Sequence, residues 1–194
     1  MTPAETAGDV TQLLQDWQAG NPEAFDQALE LVYHEMHRAA QSYVRRGNPG
    51  QTLQPTALIH EVYLRLAAGK APPQVRDRRH FLALAAKVMR RILVDRARER
   101  CAAKRGGGGH RMALDDHLES AYHDLDQFLL VDSALNDLFA EHADLARVIE
   151  LRYYAGFEIQ ETAEILGIST ATVGRRQRAA EAWLARAIAN RTRD

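Results

Sequence analysis

The sequence predicts an all-α protein, and three observations support that fold class. Apolar residues recur three and four positions apart along most of the chain, which is the spacing of one helix face. No segment has the alternating apolar and polar residues that are typical of a strand. Hydrophobic residues make up 46% of the 194 residues, so the chain can bury a core and is not disordered throughout.

Two helices are predicted in the first 47 residues. Asp9 is a favourable N-cap for the first helix, and Gly20 is a stop signal after it. Pro22 suits the first turn of the second helix, which keeps its apolar spacing as far as Gly47. The residues predicted to face inward are Val10, Leu13, Leu14, Trp17, Phe25, Leu29, Val32, Met36 and Tyr43.

Two further helices are predicted before residue 106. Pro55 begins the third helix, which ends near Gly69. Two adjacent prolines and a cluster of charges make residues 69–79 a loop. A long helix follows and stops at four consecutive glycines, Gly106 to Gly109, which predict a flexible hinge. The inward-facing residues of these two helices are Leu58, Ile59, Val62, Leu66, Phe81, Leu84, Ala85, Val88 and Ile92.

Charge is distributed unevenly along the chain, although the formal net charge is only −1. Residues 87–111 contain nine basic residues and two acids, whereas residues 112–150 contain ten acids and one arginine. We expect the acidic stretch up to about Gln127 to be irregular. The sequence therefore predicts two small helical domains, residues 9–105 and residues 128–190, joined by a flexible acidic linker at residues 106–127.

The segment ETAEILGISTATVGRRQRAA, residues 161–180, has the features of a helix-turn-helix. Gly167 can take the positive φ of a tight turn, Ser169 is a good N-cap, and Val173 is placed to bury beneath the following helix. Outward hydroxyls and arginines suit the major groove of DNA, because arginine supplies charge and bidentate guanine contacts. The alternative is a helical hairpin whose arginine face is only solvated. The predicted DNA-contacting residues are Ser169, Thr170, Thr172, Arg175, Arg176 and Arg178.

Longer motifs connect nearly the whole chain to one family. VIELRYYAGFEIQETAEILGISTATVGRRQRAAEAWL, residues 148–184, resembles the fourth region of bacterial RNA polymerase sigma factors of the extracytoplasmic-function (ECF) type. PTALIHEVYLRL, residues 55–66, is similar to their core-polymerase-binding helix. HFLALAAKVMRRILVDRARERCAAKR, residues 80–105, is similar to their promoter-melting and −10-reading helices. The resemblance covers about residues 10–189 and is closest to the ECF-like branch that carries TLQPTALIHE and RRILVDRAR.

The resemblance implies a sigma region 2-like domain, a linker and a helix-turn-helix sigma region 4-like domain. It implies a protein that binds core RNA polymerase and directs it to promoter DNA. The recognition helix would read the −35 element, and the first domain would read and open the −10 element. In this family the linker threads the polymerase cleft, where acidic residues would follow a positive channel. The alternative is that the acidic linker is only a soluble spacer.

The resemblance also assigns roles to residues of the first domain. The loop at residues 71–79 would capture a flipped base of the −10 element, and basic side chains would hold the DNA backbone. The alternative is that these basic residues form a solvated helix face. The implied −10 and melting residues are Arg76, Arg78, Arg79, His80, Lys87, Arg90, Arg91, Arg96 and Arg98. The implied core polymerase-binding residues are Leu58, Ile59, Glu61, Val62 and Arg65.

The chain departs from the family pattern at two places. The core-binding helix usually begins with an acidic cluster of the form DAEDLVQE, and of that cluster only Glu61 remains here. Phosphorylation of Thr56 by a serine/threonine kinase would restore about −1.5 to −2 charges there, in place of control by an anti-sigma factor. Alternatively, Thr56 is an ordinary early-helix residue and docking uses apolar contacts with Glu61. Gln177 stands where a large apolar residue is usual, so it must reach a polar partner or lie at the domain edge.

Signals for catalysis, cofactors and membranes are lacking in the sequence. No nucleophile set, paired-carboxylate site, phosphate loop or metal-ligand set is recognisable, so we expect no enzyme, no metal and no cofactor. No run approaches about 18 apolar residues and no signal pattern begins the chain, which predicts a cytoplasmic protein without a membrane partner. The alternative function is a stand-alone helix-turn-helix transcriptional regulator. A third class, an enzyme such as a recombinase with the same DNA-binding tail, would need a nucleophile or metal cluster.

Overall fold

The computed structural model describes residues 3–47, 53–68, 72–106 and 116–192. Within those ranges the chain forms helices and no strand, so the predicted all-α fold class is confirmed. The helices are α1 (Pro3–Gln18), α2 (Pro22–Gly47), α3 (Pro55–Ala67), α4 (Arg78–Gly106), α5 (Asp116–Glu141), α6 (Ala143–Ile149), a π-helical turn (Glu150–Tyr154), α7 (Ile159–Leu166) and α8 (Thr170–Arg191).

The first half of the chain, α1 to α4, packs around aromatic and aliphatic side chains that the helical spacing predicted to face inward. The rings of Trp17 and Phe25 stack with centroids 4.2 Å apart, and Phe81 meets Phe25 edge to face at 6.1 Å. The buried Tyr43 hydroxyl donates a hydrogen bond of 2.7 Å to the carbonyl oxygen of Ala86, which joins α2 to α4. These contacts fix the position of α4, the helix that carries most of the basic residues.

The start of α1 differs from the prediction. The helix begins at Pro3, so Asp9 lies inside it and is not its N-cap. Pro3 suits the first turn of a helix, and no helix-breaking pair separates it from Asp9. The N-cap signal at Asp9 therefore did not mark the start of α1.

The predicted linker is partly helical. α5 begins at Asp116, so the prediction of an irregular segment is wrong for residues 116–127. The cause of this helical structure is visible in the sequence, where Leu118, Tyr122, Leu125 and Leu129 keep a spacing of four, three and four residues. Residues 107–115, which include three of the four consecutive glycines, lie outside the described residues. The division into two domains stays a prediction.

The second half, α5 to α8, packs against the first half through a continuous set of buried side chains that extends from Val10 to Leu184. The Tyr43 and Tyr154 rings face each other across this contact at 5.8 Å. Gly156 has a φ of 73°, and a Cβ added there would lie 2.6 Å from the Ser42 hydroxyl oxygen on α2. A glycine is required at this position because α2 approaches the backbone so closely.

Candidate nucleic-acid interface

The turn between α7 and α8 has the geometry that the sequence predicted. Gly167 ends α7 with a φ of 65°, and the next amide, of Ile168, donates to the Ala163 carbonyl at 3.0 Å. At the other end of α7, Glu158 and Glu161 form a capping box in which the Glu158 amide donates to Glu161 Oε2 at 2.8 Å. Both ends of this short helix are therefore held by local hydrogen bonds.

Ser169 is the N-cap of α8, as predicted. Its hydroxyl oxygen accepts the Thr172 backbone N–H at 3.2 Å and also lies 2.9 Å from the Thr172 hydroxyl. Val173 is fully buried and packs with Val148 and Ala163 in a small apolar cluster beneath the helix. The start of α8 is therefore fixed on its inner side, which leaves Thr170 exposed on the outer side.

The arginines of α8 differ in how free they are. Arg175 and Arg178 are exposed and have no ion-pair partner among the residues that the structure describes. Arg176 is half-buried, and its Nε lies 3.1 Å from Asp144 Oδ2 at the start of α6. The predicted DNA-contacting set therefore contains two free guanidinium groups and one that is held against the protein.

Gln177 reaches polar partners on the π-helical turn. Its side-chain oxygen accepts Arg152 Nε–H at 3.2 Å, and its side-chain nitrogen donates to Glu181 Oε1 at 2.9 Å. The Tyr153 hydroxyl donates to the same Glu181 oxygen at 2.5 Å, and this hydrogen bond lowers the pKa of that carboxyl. Arg152 also donates to the Phe157 carbonyl oxygen at 2.6 Å. A polar network takes the place of the apolar contact that is usual at this position.

The exposed face of α4 and of the loop before it carries a row of basic side chains. Five of these basic side chains are exposed and have no ion-pair partner in the described part of the chain. His80 is half-buried, and its Nδ1 accepts the backbone N–H of Arg76 at 3.3 Å. The free basic residues of this row are Arg76, Arg79, Lys87, Arg91 and Arg98.

Arg90 corrects the predicted set, because it is only 7% exposed and points into the protein. Its guanidinium donates from Nε to Asp132 Oδ1 at 2.8 Å and from Nη2 to Asn136 Oδ1 at 2.8 Å. Its Nη1 lies 3.6 Å from Glu150 Oε1, and burial raises the pKa of that carboxyl although Arg90 acts against the shift. Arg90 therefore joins α4 to α5 and the π-helical turn and is not available to DNA in this arrangement.

Two more predicted DNA-contacting arginines are held by acids of the first half. Arg78 forms an ion pair with Glu35 on α2. Arg96 donates to Glu61 Oε2 at 2.6 Å, and Glu61 also pairs with Arg65 at 3.3 Å. The acid predicted to dock onto polymerase and an arginine predicted to hold DNA are therefore bonded to each other.

The residues predicted to bind core polymerase differ in their exposure. Leu58, Ile59 and Val62 are at most 4% exposed and pack in the core of the first half, so they cannot contact a partner directly. The outer face of α3 carries Leu64, which is 48% exposed and does not belong to the predicted set. Ala57, His60 and Leu64 are spaced three and four residues apart, which places them on one helix face. That spacing was the signal that could have found Leu64. Glu61 and Arg65 remain accessible beside it.

The surface holds no arrangement for metal chemistry in the described residues, where no group of three or more His, Cys, Asp or Glu side chains could hold an ion. Thr56 is exposed in the first turn of α3, which contains no acid. None of the helices that the structure describes is long and apolar enough to cross a membrane.

An all-α fold with a capped helix-turn-helix and a second, basic helix defines a helical DNA-binding protein. The model of the family described as ECF sigma factor matches residues 7–190, so the chain belongs to the ECF sigma factor family. It is an alternative sigma factor that acts in transcription initiation, and its partners are core RNA polymerase and promoter DNA. Members of this family often bind an anti-sigma factor as well. A comparison with curated proteins found no match.

Proposed function

We propose that α8 reads the −35 element of the promoter. The observation that carries this proposal is the exposed outer side of α8, with Thr170, Arg175 and Arg178, above an inner side fixed by Val173. A recognition helix contacts base edges with residues near its N-terminus, and arginine forms bidentate hydrogen bonds to guanine. Ser169 and Thr172 hold the cap and would contact a phosphate at the same end of the helix.

The first half would read and open the −10 element. Five free basic side chains follow the loop before α4 and its exposed face, where single-stranded DNA needs phosphate contacts along its backbone. Arg90, Arg78 and Arg96 would support this surface indirectly, since each is bonded to an acid of the protein. The −10 contacts would thus come from Arg76, Arg79, His80, Lys87, Arg91 and Arg98.

The outer face of α3 would dock onto the large subunit of core polymerase. Leu64 supplies an exposed apolar side chain, and Glu61 and Arg65 supply charge beside it. The first turn of α3 lacks an acid, and Thr56 is exposed there. Phosphorylation of Thr56 by a serine/threonine kinase would add about −1.5 to −2 charges and strengthen docking onto a basic partner.

A comparison of two variants tests this switch. We expect Thr56→Glu to bind core polymerase more tightly than Thr56→Ala in a pull-down or a titration with labelled protein. Equal binding by both variants, with no gain after kinase treatment of the unaltered chain, would mean that α3 docks through Leu64 and Glu61 alone.

The protein would act in the cytoplasm and lend promoter recognition to polymerase without catalysis of its own. Run-off transcription with purified core polymerase tests the proposal on promoters found by transcription-start mapping after overexpression. We expect new promoter-specific transcripts only when the chain and core are both present. A stand-alone regulator would bind the same DNA without core and start no transcript.

A further inference from the structure

A cleft lies between the two halves of the chain, and its lining includes Arg76, Arg79, His80 and Lys87 of the −10 surface proposed above. It has a volume of about 500 Å³, within the usual range for a small-ligand site. α4 and the loop before it form one wall, and α6, the π-helical turn and the turn after α7 form the other. We call it the interhalf cleft, and its charged lining residues are Arg76, Asp77, Arg79, His80, Lys87, Arg147 and Glu150.

The basic residues of the interhalf cleft are not neutralised by the protein. Arg76, Arg79, Lys87 and Arg147 are exposed and form no ion pair among the residues that the structure describes. Four positive charges and His80 thus line one open cleft. An anion bound between these residues would relieve their mutual repulsion, which water and salt screen only in part.

The two acids of the cleft offset only part of this charge. Asp77 Oδ1 accepts the backbone N–H of His80 at 2.9 Å, so it serves as a local cap at the start of α4. Glu150 is 5% exposed, its Oε1 lies 3.6 Å from Nη1 of the buried Arg90, and burial raises its pKa while both Arg90 and Lys87 act to lower it. The remaining wall is apolar and is formed by Leu84, Leu151, Ile165 and Leu166.

We propose that the interhalf cleft binds a small ligand that carries a di- or triphosphate group. Arginine and lysine are the side chains that bind phosphate oxygens most strongly, and three or more of them converge here from both halves. The apolar wall would hold an uncharged part of the ligand, such as a nucleobase.

The position of the cleft gives the ligand a consequence for transcription. It would bridge Arg147 of the second half and Lys87 of the first half, so it would bind only when the two halves are in contact. By mass action it would favour that arrangement. It would also occupy Arg76, Arg79 and Lys87, which the −10 strand needs, and would therefore inhibit initiation.

The experiment is a calorimetric titration of the full-length chain with inorganic triphosphate at constant ionic strength, with ATP and GTP as further probes. The test variant is Arg147→Ala, because Arg147 lines the cleft and belongs to neither proposed DNA surface. The matched control is Arg186→Ala, which removes the same charge from an exposed arginine on α8 outside the cleft. Arg147→Lys keeps the charge, and thermal melting confirms that each variant is folded.

We expect one saturable site for triphosphate, weakened roughly tenfold or more in Arg147→Ala and unchanged in Arg186→Ala. Arg147→Lys should recover part of the affinity. Tighter binding of a nucleotide than of inorganic triphosphate would identify the base as a second contact. No saturable binding, or equal weakening in the two alanine variants, would overturn the proposal. Oligonucleotide binding that depends on Arg147, without triphosphate binding, would also overturn it and assign the cleft to DNA. Binding of the holoenzyme to promoter DNA in the absence of nucleotides would remain intact in each of these cases, so the proposed function is tested separately.

Discussion

The two arginine-rich helices, α4 and α8, use their charges in different ways. α4 lies between the two halves of the chain, and acids from α5 and the π-helical turn enclose its Arg90. α8 covers the core with one side only, so Arg175 and Arg178 stay exposed. The comparison teaches that the charges of a basic run are available to a partner only where the helix has a free side. On α4, Arg91 has that freedom and its neighbour Arg90 does not.

The largest effect, a loss of unfolding free energy, should come from Arg90→Ala. This variant tests the difference between the buried and the exposed arginine of α4. It would leave Asp132 and Glu150 buried without their cationic partner, and breaking a buried pair costs about 3–5 kcal/mol. Urea denaturation measures the loss in the free energy of unfolding. The control is Arg91→Ala on the exposed side, for which we expect a change within about 0.5 kcal/mol. Similar values for the two variants would show that Arg90 is not a structural residue.

A second test removes a free arginine of α8. Arg175→Ala should weaken binding of the holoenzyme to its promoter by about 1–3 kcal/mol through the loss of base and phosphate contacts. Its unfolding free energy should stay nearly constant, since the side chain is exposed. A mobility-shift titration compares it with Arg186→Ala, which should bind like the unaltered protein. Equal affinities for the two variants would exclude Arg175 from the DNA surface.

A smaller loss, in this case of unfolding free energy, is expected from Gln177→Leu. Leucine fills the half-buried position but leaves Arg152 and Glu181 without one hydrogen bond each, at a cost of about 1–2 kcal/mol in unfolding free energy. Chemical denaturation measures the change. Arg186→Ala again serves as the control on the same helix. A gain in stability would mean that the polar network is weaker than the apolar contact that leucine restores.

The smallest expected effect tests the cap that fixes the start of α8. Ser169→Ala removes the acceptor of the Thr172 N–H and should cost about 1 kcal/mol of stability. Ser169→Asp keeps an acceptor and should retain most of that stability. Thermal melting distinguishes the two. If both variants melt alike, the hydroxyl does not stabilise the helix.

Local signals made the helix-turn-helix predictable from the sequence. Gly167, Ser169 and Val173 each act through neighbours fewer than ten residues away or through helix periodicity, and all three occupy the predicted roles. Arg90 could not be assigned in the same way, because its partner Asp132 is 42 residues further along the chain. Charge counting treated Arg90 and Arg91 as equivalent, and only tertiary packing separates them.

The second half of the linker shows the opposite error. Its acids suggested an irregular segment, but its apolar spacing was already that of a helix, and α5 begins at Asp116. On α3, apolar periodicity correctly placed Leu58 and Val62 inside the protein, which is the reason they cannot be docking residues. Where composition and periodicity disagreed in this chain, periodicity gave the correct local structure.

The measurement that tests the central claim most directly is hydroxyl-radical footprinting of the holoenzyme on a mapped promoter. The claim is that the free side of α8 contacts the upstream element and that the free side of α4 contacts the downstream one. With Arg175→Ala we predict loss of protection at the −35 element and retained protection at the −10 element. Unchanged protection at −35, or equal loss at both elements, would contradict the account.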